Sequence, residues 1–298
     1  MAFQHAVLVA ADGQTDASVL TPATVDQAID VRARARRGLA IYFALVIVLT
    51  GAIDAVVIGL KDMGMDSLAL LTMLVPALSS VIARLVLREG FGDVSFRIGG
   101  RRGWTAIGLA PVFPIVVCSI AYGIAWTTGL VQFVPQNWGD LATRVAVLIV
   151  PSIIFNSGEE IGWRGYMLTR LMDSGLPKPI LLSGIFWGMW HVPLVVSGVW
   201  DAGPYPILSA ALVVVMATAF SFLLARVRLA TGSVWAAVAF HFAWNTIIQE
   251  GFDMATSGPG ARLWVGESGI LTAVVVIVAV VISTRGRWTI LRRPTPSN

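Results

Sequence analysis

Three short stretches carry the reactive side chains of this 298-residue chain. FNSGEEIGWRGYML (155–168) places Glu159 beside Glu160, with Arg164 four residues after the second acid. WGMWHVP (187–193) holds His191, and HFAWN (241–245) holds His241 and Asn245. Carboxylates and imidazoles brought together can pass a proton, activate a water or bind an ion. Spacing already divides the first stretch. Glu160 and Arg164 are i,i+4 with the acid N-terminal, the better orientation for a helical ion pair. Glu159 points about 100° away from Glu160. One carboxylate is thus expected to be tied locally while its neighbour projects elsewhere, available for chemistry.

The elements that must position these groups are membrane helices. The chain is 56% hydrophobic and only 13% charged, with a mean hydropathy of +0.79; soluble domains carry about 25% charged residues. Eight apolar stretches are long enough to span: about 39–60, 68–87, 105–128, 141–163, 179–199, 206–225, 232–250 and 268–284. Roughly 20 helical residues cross a ~30 Å hydrocarbon core. The expected fold is an all-α polytopic bundle of about eight transmembrane helices. A disordered cytoplasmic tail (1–31) precedes one transmembrane domain (32–284), and a basic tail (285–298) follows it.

The net charge of +4 could suggest a nucleic-acid partner, but the placement of the charges argues against one. Arginines 32, 34, 36 and 37 precede the first stretch, and arginines 84, 88, 97, 101 and 102 lie around the loop after the second. Arg164, Arg170 and Lys178 follow the fourth, Arg226 and Arg228 the sixth, and arginines 285, 287, 292 and 293 the eighth. That puts 18 of the 21 basic residues on one side, leaving Lys61, Arg144 and Arg262 on the other. The positive-inside rule makes the first side cytoplasmic, with both termini inside. The expected location is the cell membrane, with lipid and not nucleic acid as the surrounding partner.

Other features are read more simply. The single Cys118 excludes an intrachain disulfide and a Cys-based metal cluster, and reads as packing. The loop FGDVSFRIGGRRGW (91–104) suits the cytoplasmic interface, with Phe91, Phe96 and Trp104 as anchors. Asp54, Arg84 and Arg144 sit near span ends, where they are expected to reach the interface. Trp187 and Trp190 are expected to pack. Pro193 removes a backbone donor near His191 and can kink that helix.

Of three histidines, two lie mid-span, and of five glutamates only Glu159 and Glu160 lie within a span, since Glu89, Glu250 and Glu267 fall at ends or in loops. Ionisable residues at such positions usually face a bundle interior or a wet cavity. Depth counts agree. At 1.5 Å per residue, Glu159 lies roughly 16 Å from Arg170, His191 roughly 20 Å from Lys178 and His241 roughly 14 Å from Gly232. All three are expected to meet in the cytoplasmic half of the bilayer.

At these residues the chain resembles a known family. EEIGWR resembles the EExxxR first motif of the CPBP family, the CAAX proteases and bacteriocin-processing enzymes. WGMWHVP is similar to its second motif, usually FxxxH, and HFAWN to its third, Hxxx(N/D). The three stand in the family's order over about residues 141–250; the departure is Trp187 where Phe is usual. The resemblance implies an intramembrane endopeptidase acting on a membrane-associated or lipidated substrate. A carboxylate in a low-dielectric site suits general-base work near neutral pH. On this reading Glu159, with His191, positions and deprotonates a water. His241 and Asn245 donate hydrogen bonds to the oxyanion. Arg164 holds Glu160, or neutralises a substrate carboxylate. The family is often called metalloprotease, and Glu159, His191 and His241 could together bind zinc with a fourth position open for water. The same residues can equally work without a metal, and the sequence has no HExxH.

Two other classes use similar residues. A transporter or proton relay also employs intramembrane Glu and His, and favours broken helices in paired repeats, which the sequence lacks. A non-catalytic immunity or scaffold protein of the same fold is expected to have lost part of the Glu/His set. That set is complete here.

Overall fold

Lipid offers no hydrogen bonds, so apolar stretches must satisfy their own backbone groups. In the computed structural model, which describes residues 22–64, 66–200 and 203–285, they do so as helices. Helix α1 spans Pro22–Gly59. A 3-10 segment, Asp66–Leu74, leads into α2, Val75–Leu87. Gly100–Leu109 (α3) and Val112–Thr127 (α4) make one near-continuous rod. Helix α5, Trp138–Gly162, passes through a π-helical turn, Trp163–Met167, into α6, Leu168–Asp173. Pro179–Ser197 (α7) and Pro206–Thr231 (α8) follow. Helix α9, Val234–Asn245, continues as a second π-helical segment, Thr246–Asp253. Ala261–Trp264 (α10) and Ile270–Arg285 (α11) close the described chain. Two-residue strands at Gln132–Phe133 and Thr256–Ser257 pair antiparallel.

The fold is therefore an all-α bundle. Among the described residues, six helical stretches are long and apolar enough to cross a membrane, and the apolar Ile270–Ser283 is shorter. The expected seventh stretch is α9 with its π continuation. The first helix begins at Pro22, inside the stretch expected to be a disordered tail. Residues 1–21 and 286–298 lie outside the described residues.

Close helix approach positions the reactive stretches. Gly158 and Gly162, one turn apart on α5, lie against the end of the 3-10 segment and the first turn of α2 respectively. A Cβ on Gly158 would sit 2.6 Å from the Met73 carbonyl oxygen, and one on Gly162 2.3 Å from Pro76 Cβ. Gly184 and Gly188 do the same for α7 on α8, where a Cβ would lie 2.9 Å from Thr218 Cα and 2.7 Å from Val214 Cα. Such small-xxx-small pairs let backbones meet where no hydrophobic force drives helices together in lipid.

Arg84 departs from its expected interfacial reach. Its side chain is wholly buried, 2.6 Å from Asp93 and 3.3 Å from the Gly165 carbonyl, with a further bond to the Gly90 carbonyl. The loop after α2 folds back to bring acids to it, so the guanidinium need not seek water. Arg170 joins the cluster at 2.7 Å from Glu89 and 2.8 Å from Asp93, and Arg228 donates to the Asp93 carbonyl at 2.6 Å. Asp54 is buried as well. Arg144, part-exposed, pairs with Glu250 at 3.1 Å. Phe91, Phe96 and Trp104 are exposed. Helix α7 runs through Pro193 to Ser197.

Candidate active site

A cavity of about 390 Å³ is lined by α5, α7, α8, α9 and the 3-10 segment before α2. Glu159, His191, His241 and Asn245 all line it, with Asn156, Trp187, Trp190 and Trp200. These residues, separated by up to 89 positions, thus line one cavity. Its flanks are apolar, from Leu70 and Met73 on one side to Val145, Leu148 and Ile149 on another.

The two adjacent acids face different partners. Glu160, wholly buried, accepts from Arg164 Nη1 at 2.7 Å. The same Oε1 lies 2.9 Å from His241 Nδ1. Arg164 is itself wholly buried and lies 4.3 Å above the Trp187 ring. Neither Glu160 nor Arg164 lines the cavity, so this arrangement gives Arg164 no direct route to a substrate carboxylate. Glu159 goes the other way. Its Oε2 accepts from two indoles, Trp163 Nε1 at 3.0 Å and Trp187 Nε1 at 2.7 Å.

The histidines are oriented through their Nδ1 atoms. His191 Nδ1 is 2.9 Å from the Trp187 carbonyl. A carbonyl only accepts, so Nδ1 carries the proton and Nε2 keeps a lone pair. The ring stacks on Trp200 at 5.0 Å and meets the edge of Trp190 at 4.7 Å. Since Nδ1 of His241 is taken by Glu160, its Nε2 is the nitrogen left for a cavity guest. Asn245 donates from Nδ2 to Asn156 Oδ1 at 3.0 Å, and Asn156 donates onward to the Ser152 carbonyl at 2.7 Å.

Three features escaped the sequence reading. Trp187 is a hydrogen-bond donor to Glu159, not only a packing residue. Trp190 likewise donates, to Thr50 Oγ1 at 2.9 Å. Asn156 orients Asn245; its position one turn before Glu160 in an apolar span was the available signal. The glycine pairs around both acids and on α7 were a second signal.

Zinc would need Glu159, His191 and His241 to converge with free donor atoms. Among the described residues, no group of three or more His, Cys, Asp or Glu side chains is gathered to hold a metal ion. Both Nδ1 atoms and one Glu159 oxygen are committed within the protein, which leaves the two Nε2 atoms and Glu159 Oε1 as the donors that a metal would have to use.

Residues 141–247 match the family model described as type II CAAX prenyl endopeptidase Rce1-like. Over 82 residues the chain is 30% identical to CAAX prenyl protease 2 of Methanococcus maripaludis. That match covers 27% of this chain and spans 30% of the length of the curated relative. The matched family segment contains all three motifs, and it bears out the resemblance to the CPBP and CAAX protease family. With the apolar helices, it marks an integral membrane protein.

Proposed function

We propose that this chain is an intramembrane endopeptidase that hydrolyses a peptide bond of a membrane-associated or lipidated substrate, with both termini on the cytoplasmic side. The observation carrying this reading is that Glu159 lines the cavity together with His191, His241 and Asn245, while Glu160 and Arg164 stand behind it.

Glu159 takes a proton from a water held between it and His191 Nε2. The hydroxide oxygen's lone pair forms a bond to the scissile carbonyl carbon, and the C=O π pair moves onto the carbonyl oxygen. His241, held at Nδ1 by Glu160, donates from Nε2 to that oxyanion, with the second Asn245 amide hydrogen as a further donor. Collapse breaks the C–N bond, and the protonated Glu159 returns its proton to the leaving amine. Water is consumed, and a carboxyl and an amine end result. The apolar flanks of the cavity suit a substrate presented from lipid.

The test is cleavage of a membrane-tethered or lipidated peptide by the purified protein. Glu159→Gln is expected to lower kcat at least about a hundredfold, the usual worth of a general base. Activity is expected to survive exhaustive chelation. Undiminished cleavage by both Glu159→Gln and His191→Ala would sink the catalytic reading; loss on chelation that zinc restores would overturn the metal-free version.

A further inference from the structure

We propose that Trp187 and Trp163 form an indole clamp on Glu159, fixing which of its oxygens meets the water. The inference rests on Glu159 being the general base. Both indole N–H groups converge on Oε2, at 2.7 Å from Trp187 and 3.0 Å from Trp163. Indole nitrogen donates and never accepts, so neither ring can take a proton from the acid. With Oε2 filled from two directions, Oε1 is the atom that works.

The two donors come from different places. Trp163 lies one turn after Glu159 on the same strand of helix, whereas Trp187 reaches over from α7. The clamp therefore sets the acid relative to the helix that carries His191. Trp187 is itself held in place. Its ring takes Arg164 on one face at 4.3 Å and meets the His241 ring edge-on at 5.2 Å and the His191 ring at 5.8 Å. Gly188, next in the chain, allows the close seat on α8. Arg164 makes its hydrogen bond to Glu160 from Nη1, and it holds the Trp187 ring through its face. Trp187 is a positioning residue for this step: it also lines the cavity, but its indole N–H is spent on the base.

Phenylalanine keeps an aromatic ring at the site and removes the donor, which separates hydrogen bonding from packing. In the purified full-length protein, Trp187→Phe is expected to lower kcat about ten- to a hundredfold, the worth of a hydrogen bond to a charged group. KM for the tethered peptide and the thermal midpoint are expected to stay at wild-type values. Trp163→Phe is expected to act in the same direction, and the double variant to fall further. Wild-type kcat in a folded Trp187→Phe overturns the clamp. Should that variant fail to fold, Trp163→Phe decides alone, by the same kcat and KM readings. Glu159→Gln run in parallel separates the two ideas. Inactive Glu159→Gln beside fully active Trp variants overturns only the clamp, whereas active Glu159→Gln overturns the base assignment and the clamp together.

Discussion

His241 Nδ1 lies 2.9 Å from Glu160 Oε1, the same oxygen that Arg164 Nη1 reaches at 2.7 Å. One carboxylate oxygen, closed off from the cavity, therefore ties a cation on its own helix to an imidazole from a helix 81 residues on. Glu160 does two separable jobs: it neutralises Arg164, and it aims the His241 ring.

The first job predicts a loss of stability. Glu160→Met alone strands a buried guanidinium, at a cost of about 3–5 kcal/mol. The double variant Glu160→Met with Arg164→Met removes both charges and is expected to recover most of that stability. It is not expected to recover activity, because His241 still lacks its acceptor. Thermal unfolding and peptide cleavage on the same preparations check this. Wild-type cleavage by a folded double variant would leave Glu160 with a purely structural role.

Asn156 is expected to matter through Asn245. Asn156→Ala removes the oxygen that accepts Asn245 Nδ2, and kcat is expected to fall about tenfold, the worth of roughly one hydrogen bond. Asn156→Asp keeps an acceptor there and is expected to retain more activity than the alanine variant. Equal rates for the two variants would show that the amide contact carries nothing.

Glycine packing gives a third expectation. Gly162→Ala forces a Cβ to within 2.3 Å of Pro76. Overpacking of this kind costs about 1–3 kcal/mol, and it would also push Glu159 and Glu160 from their partners. Gly51 on α1, where an added Cβ meets nothing within 4 Å, is the control; Gly51→Ala is expected to melt and cleave like wild type. A Gly162→Ala protein matching that control in both measurements would contradict the close-approach account.

The bundle itself was legible in the sequence, since hydropathy measures what lipid demands of each stretch. So was the split of the two acids, because helical geometry turns Glu159 away from Glu160 whatever surrounds them. The partners of the site were not. Hydropathy cannot tell that an indole from α7 arrives at Glu159, or that His241 docks on Glu160, because those pairs are joined only by tertiary packing. Arg84 shows the same limit from the other side. A basic residue near a span end ordinarily reaches outward, and only the returning loop that carries Asp93 makes burial the better solution. The π-helical turns also left no trace, since they reflect how neighbouring helices share space.

The turn at Trp163–Met167 has a consequence for heredity in this chain. A π turn holds one residue more than the α turn it replaces, and one residue is about 100° of helical rotation. Upstream, that phase sets Glu159 against the cavity and Glu160 against His241; downstream, it sets Arg170 against Glu89 and Asp93. Two faces of one long rod are thereby indexed independently. Loss of a single residue there would rotate one face out of register with its partners, so this segment has to inherit its length intact as well as the side chains of Trp163 and Arg164.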